Sequence, residues 1–175
     1  MRALGRGSVS SFLKVILDVV YASLWAGLGL VGLLLLAAVF LSFDGDLLAR
    51  LAAGGGSQFA PTGPVLIGGL GAAGLYVTGL LVIVDQLRRI FSTLSAGDPF
   101  HPDNVRRLRT IGMALAGVEL VRYLVWALSA WFLSGVDRVE ARMSLTAWFA
   151  VMVVFVLAEV FREGARLRRE AELTI

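Results

Sequence analysis

The sequence predicts an all-α integral membrane protein: a four-helix bundle with both termini in the cytoplasm and with helices two, three and four extending into the cytoplasm. Three observations carry this. The chain of 175 residues is 58% hydrophobic, above the roughly 45–50% of soluble domains, and its mean hydropathy is +0.82. The apolar residues gather in four runs nearly free of charge. Lysine and arginine concentrate in alternate connections between those runs.

The runs cover about 19–43, 64–84, 111–133 and 144–161. Each is near the ~20 residues that cross ~30 Å of hydrocarbon as a helix. Inside lipid only helices and closed barrels satisfy the backbone, and the runs lack the period-2 alternation of barrel strands. The first run follows Arg2, Arg6 and Lys14, as a signal peptide would. It exceeds the roughly 7–15 residues of a signal core and three more runs follow, so an uncleaved first span is expected. The whole chain, 1–175, is expected to be one membrane domain.

Orientation follows from the basic residues. Arg2, Arg6 and Lys14 precede the first span. Arg88, Arg89, Arg106, Arg107 and Arg109 lie between spans two and three, and Arg162, Arg166, Arg168 and Arg169 follow span four. The other two connections hold Arg50, Arg138 and Arg142. This asymmetry places the termini and the middle connection in the cytoplasm. It also accounts for the sequence pI of about 9.9 without invoking nucleic acid, since the net charge is only +3. The side bearing the arginines attracts anionic headgroups. Lys14 is the lone lysine among the 16 basic residues. That bias, with abundant Ala, Gly and Leu, points to a GC-rich bacterial genome and thus to the inner membrane.

The second helix is expected to outrun its span. Leu80, Val84, Leu87, Phe91 and Leu94 recur at helical spacing, which carries the helix to about Ser95. Gly97 suits a C-cap. Asp98-Pro99-Phe100-His101-Pro102-Asp103 reads as a tight turn and a fresh helix start. The next helix carries Val105 and Leu108 on one face and runs into span three. In the tail, Glu159, Arg162, Glu163, Arg166, Arg169 and Glu170 share a helical stripe, so span four is expected to continue to about Glu172. That stripe is either a solvated, ion-paired face or a docking surface. The segments 85–110 and 162–175 together would form a cytoplasmic cap. The connector from Leu51 to Gly63 and the loop around Asp137, Arg138, Glu140 and Arg142 resemble no binding domain.

Ionisable residues within spans are the first candidates for function. Glu119 and Arg122 fall three apart on span three, near mid-membrane. Glu159 lies at the end of span four and is a possible cross-helix partner for Arg122. The group is either a proton or ion relay or a structural ion pair. Asp18 and Asp85 sit at span ends, where solvation is cheap. Small residues four apart, such as Ser23 and Gly27, Gly68 and Ala72, Gly69 and Ala73, and Gly74 and Thr78, allow close helix approach. They would serve packing within the chain or a homo-oligomer. Trp25, Trp126, Trp131 and Trp148 fit an interfacial aromatic belt. Cysteine is absent and His101 is the lone histidine, which excludes thiolate chemistry and disfavours a histidine metal centre. No nucleophile–base set, paired carboxylates or metal spacing is found. The expectation is therefore no enzyme and no cofactor.

Two segments carry a family resemblance. Gly97-Asp98-Pro99-Phe100, Asn104 and Arg107-Leu108-Arg109-Thr110-Ile111-Gly112 follow the pattern G-x-P-F, N, R-L-R-x-I-G. Glu159-Val160-Phe161-Arg162-Glu163-Gly164, Leu167 and Glu170-Ala171-Glu172-Leu173-Thr174-Ile175 follow the ending F-x-x-G-x-x-L-x-x-E-x-[DE]-L-T-[IV]. The chain thereby resembles the bacterial membrane family called domain of unknown function 2975, whose members have four spans and about this length. The resemblance would cover nearly the whole chain. It implies no activity. Its members are often encoded beside a small helix-turn-helix regulator, which implies a soluble regulatory partner.

Gly97, Pro99, Phe100, Asn104, Arg107, Leu108, Gly164, Glu170, Leu173 and Thr174 are accordingly the candidate cap residues. Pro99 presets the turn and Phe100 packs back on the protruding helices. Asn104 would bond backbone at the helix start. Arg107 would pair with Glu163 or Glu170. The expected function is that of a non-enzymatic regulator or scaffold whose cap binds a soluble partner. The alternatives are a small transporter or channel subunit using Glu119 and Arg122, and a structural helper of a membrane complex.

Overall fold

The computed structural model describes residues 6–43, 63–132 and 144–173. Among them the chain forms four α-helices: α1 Arg6–Ser42, α2 Gly63–Ser95, α3 Pro102–Phe132 and α4 Leu145–Glu172. All four are long and apolar enough to cross a bilayer, so the chain is a multi-pass, all-α membrane protein. The connector around Leu51 and the loop around Asp137 lie outside the described residues.

The extensions of helices two, three and four appear as expected. Helix one extends as well, which was not expected: it starts at Arg6 rather than near Val19. Phe12, Val15 and Ile16 carry the apolar pattern through Lys14 and Asp18, and Arg88 of α2 neutralises Asp18, whose carboxylate lies 2.5 Å away. A charge paired across helices does not interrupt an apolar segment as a free one would.

α2 ends at a glycine. Gly97 has φ +83°, the left-handed conformation that a residue with a β-carbon rarely adopts. Two residues on, Pro99 and Phe100 complete the turn into α3. The amide of Asp103 donates to Nδ1 of His101 at 3.2 Å, so His101 caps α3, and Asn104 bonds backbone at the helix start as expected, through the carbonyl of Pro99. α4 begins at Ser144, whose Oγ accepts from the amide of Ala147 at 3.2 Å.

The helices pack in chain order, α1 on α2, α2 on α3 and α3 on α4. Two contacts fix each register. Arg88 meets Asp18 while Gly74 lies beside Val31, so α1 and α2 are antiparallel. Thr93 meets Asn104 while Gly79 meets Val118, and Phe161 meets Phe100 while Phe155 meets Gly112, so α3 and α4 alternate in turn. A buried cluster of Ile90, Leu108, Ile111 and Ala158 joins α2, α3 and α4. Ile83, Leu87, Leu115, Val154 and Phe161 pack around it.

The small residues expected to pack within the chain or in a homo-oligomer divide, and of them Gly74 lies against Val31 of α1. A β-carbon on Gly27, Gly68 or Gly69 would meet nothing within 4 Å, so these are not points of close approach between helices of the chain. The close approaches include Gly79 against Val118, Gly112, where an added β-carbon would come within 3.0 Å of Phe155, and Gly164, where it would come within 2.6 Å of Phe100. Spacing alone shows where small residues recur. The neighbouring helix decides which of them are used.

Candidate functional site

Polar and aromatic clasps join successive helices at the end where α2 turns into α3. The first joins α1 to α2. Nε of Arg88 donates to Asp18 at 2.7 Å, and the guanidinium stands 4.3 Å from the ring centre of Tyr21. Asp18 is therefore an interhelical partner and not merely a solvated span end. Asp85 is also engaged, accepting from Nε of Arg89 at 2.8 Å.

The second clasp joins α2 to α3 and centres on Asn104. Its side chain is wholly buried, where a polar group requires partners. Nδ2 donates to Thr93 Oγ1 at 2.9 Å and to the carbonyl of Pro99 at 3.1 Å. Oδ1 accepts from Arg107 at 2.9 Å and also meets the Thr93 hydroxyl at 3.1 Å. Arg107 donates as well to the carbonyl of Arg89 at 3.0 Å. The expected pairing of Arg107 with the acidic tail is thus corrected. Arg107 is held by the α2–α3 hairpin, one turn along α3 from Asn104, while Glu163 pairs with Arg166 at 2.8 Å. Leu108, next to Arg107, belongs to the buried cluster.

The third clasp joins the turn to α4. The rings of Phe100 and Phe161 are 5.7 Å apart between centres, and Phe100 occupies the space over Gly164. Asp98 pairs with Arg168. The two motifs that carry the family resemblance are therefore in contact, through Phe100 with Gly164 and Asp98 with Arg168. Thr93, Asp98, Phe161 and Arg168 were not singled out from the sequence. Asp98 and Phe161 lie inside the motifs, and a Thr eleven residues before a buried Asn carries no local signal.

Beside this cap lies a groove of about 600 Å³ between the start of α3 and the end of α4. Pro102, Val105, Ala165 and Leu173 give it apolar walls, and Arg166, Arg169, Glu163 and Glu170 give it charge. Glu170 approaches Arg166 at 3.4 Å. Leu173, at the end of the groove, is 83% exposed, so this apolar side chain stands in the open. Thr174 lies outside the described residues.

The intramembrane candidates divide. Arg122 and Glu119 form an ion pair at 2.6 Å. The guanidinium also stands 5.3 Å from the ring centre of Tyr123, whose hydroxyl accepts from Trp148 Nε1 at 3.2 Å. Glu159 does not join them. It pairs with Arg162 on its own helix. The register set by Gly112 and Phe155 puts Glu159 near Leu108, roughly 20 Å along the axis from Arg122. Among the described residues no group of three or more metal-binding side chains occurs.

The family model described as "Protein of unknown function (DUF2975)" matches residues 60–175. The chain belongs to the DUF2975 family. The match spans α2, α3 and α4, and so contains every residue of the second and third clasps. It stops short of α1, so the DUF2975 resemblance covers less of the chain than its two motifs implied. The chain matches no curated protein and no solved structure.

Proposed function

We propose that this DUF2975 protein is a non-enzymatic regulator or scaffold of the bacterial inner membrane, whose cytoplasmic cap binds a soluble protein. The groove between α3 and α4 carries this reading. Its apolar walls beyond the spans leave Val105 and Leu173 to be covered, as the core of a protein interface is. The arginine distribution supports a cytoplasmic cap. The family resemblance supports a small helix-turn-helix regulator as the partner.

The test is mild-detergent purification of the chain from its native host, read by mass spectrometry, for wild type and for Val105→Asp and Leu173→Asp. A soluble protein held by wild type and released by both variants is the expected result. Retention by both variants would remove the groove from the interface. A stoichiometric membrane partner instead would favour the helper role.

The Glu119–Arg122 ion pair inside a span supports a second reading, a transporter or channel subunit, because ionisable residues within spans mark ion or substrate pathways. In that case, flux through reconstituted vesicles would be present for wild type and absent for Glu119→Gln.

A further inference from the structure

The contacts between helices fix a common level for the charges nearest each span. Arg88 of α2 pairs with Asp18 of α1. Five residues along α2 from Arg88 is Thr93, which bonds Asn104, and five residues along α3 from Asn104 is Arg109. Three residues further is Gly112, which contacts Phe155, and a like step along α4 leads to Ala158 and Glu159. Asp18, Arg88, Arg109 and Glu159 thus lie in one layer across all four helices. On one side of it the helices are uncharged apart from Asp85 and the Glu119–Arg122 pair. This layer is the boundary between hydrocarbon and headgroups, the latter roughly 5–8 Å thick on each face.

Most arginines near that boundary are already engaged. Arg88, Arg89, Arg162, Arg166 and Arg168 hold carboxylates, and Arg107 holds Asn104 and a carbonyl. The guanidinium groups of Arg106 and Arg109 have no partner among the described residues. Both are exposed and lie one turn apart on one face of α3. Arg109 is in the boundary layer, and Arg106 is about 4.5 Å below it. The same face continues into the hydrocarbon as Met113, Gly117, Leu120 and Leu124. Met113 and Leu120 are each about three-fifths exposed, and a β-carbon on Gly117 would meet nothing within 4 Å. Two free cations therefore sit at the foot of an open apolar stripe that starts at the headgroup layer.

We propose that this face of α3 is a binding site for one anionic phospholipid of the bilayer, its phosphodiester held by Arg106 and Arg109 and one acyl chain lying along Met113, Gly117, Leu120 and Leu124. Guanidinium forks match phosphate oxygens. The stripe supplies what a soluble phosphate could not use. The site does not depend on a protein partner.

The test is native mass spectrometry of the purified full chain, titrated with phosphatidylglycerol and with phosphatidylcholine of identical acyl chains. Wild type is expected to retain phosphatidylglycerol in preference. Arg106→Gln/Arg109→Gln is expected to weaken that retention by about thirty-fold, from about five-fold for each arginine near an anionic surface. Arg106→Lys/Arg109→Lys keeps the charge and is expected to keep most of the preference. Arg169→Gln removes an arginine of the α3–α4 groove that lies well beyond the headgroup layer and is expected to leave lipid retention unchanged.

Equal retention of the two lipids by wild type would overturn the proposal whether or not the glutamine variant folds. So would an equal loss in Arg169→Gln, which would mark a general charge effect. Displacement of the lipid by millimolar glycerol 3-phosphate would assign the arginines to a soluble phosphate instead. Loss of a bound soluble protein from the glutamine variant, with lipid retention intact, would assign them to a protein interface.

Discussion

The ring of Phe100 stands where a side chain at position 164 would be. A β-carbon on Gly164 would come within 2.6 Å of two ring carbons of Phe100, and the ring also packs on Phe161 one turn earlier in α4. One residue of the turn thus depends on the absence of a side chain on a helix more than sixty residues away.

Gly164→Ala and Gly27→Ala should therefore shift stability in opposite directions. Alanine in a helix gains up to about 1 kcal/mol over glycine. At Gly27 the added carbon meets nothing within 4 Å, so that gain is expected undiminished. At Gly164 it collides with a ring, and overpacking costs about 1–3 kcal/mol. Thermal unfolding in detergent checks this, and Phe100→Leu should relieve the Gly164→Ala defect. A Gly164→Ala protein more stable than wild type would contradict the packing described.

Asn104 closes the hairpin, so its loss should loosen the cap while leaving the spans in place. Asn104→Ala strips partners from the Pro99 carbonyl, the Thr93 hydroxyl and Arg107. A buried group left unsatisfied costs about 1–3 kcal/mol. Limited proteolysis should then cut between α2 and α3 far faster than in wild type, with helix content unchanged. Equal proteolysis rates would show that the turn is held by the contacts of Phe100 and Asp98 with α4.

The fold was legible because lipid imposes it. Length, apolarity and the lack of alternation leave helices as the option, and the amphipathic run from Leu80 to Leu94 marked where α2 leaves its span. The motifs marked the cap, and Gly97 and Phe100 act as their residue types suggest. Partners were less legible. Arg107 was assigned to the tail because opposite charges attract at any sequence distance, yet Asn104 lies one turn away and already holds its guanidinium. The sequence leaves Asp18 to solvent because no local signal links it to Arg88, 70 residues away. Which small residues pack was illegible for the same reason: the register between helices, set by contacts such as Thr93 with Asn104, is absent from local spacing.

The clasp between α1 and α2 gives a double-mutant prediction. The side chains of Arg88 and Asp18 are 32% and 41% exposed, so water screens the pair and a coupling of about 0.2–1 kcal/mol is expected. Stacking on Tyr21 adds about 0.5–1 kcal/mol for an exposed cation–π contact. Tyr21→Leu should then reduce stability even with Asp18 replaced by Asn. Strict additivity of Asp18→Asn and Arg88→Gln in unfolding measurements would mean that the ion pair contributes nothing.

The intramembrane pair separates structural from transport roles by a comparison of single and double variants. Glu119→Gln leaves Arg122 without its carboxylate inside a span, where an arginine costs at least about 2.5–3.5 kcal/mol. Tyr123 stands within 5.3 Å and stays in place, so the guanidinium is not left isolated and the observed loss should fall below that range. Glu119→Leu/Arg122→Leu removes both charges and should restore, or exceed, wild-type stability, because an apolar pair suits the bilayer better than a paired charge. The measurements are membrane-inserted yield and unfolding temperature in detergent. A stable double variant that also keeps all function would make the pair structural. A stable double variant that has lost function would place Glu119 and Arg122 in the working site. A double variant less stable than Glu119→Gln would show that Arg122 is held by groups other than Glu119, contrary to the 2.6 Å pair in the structure.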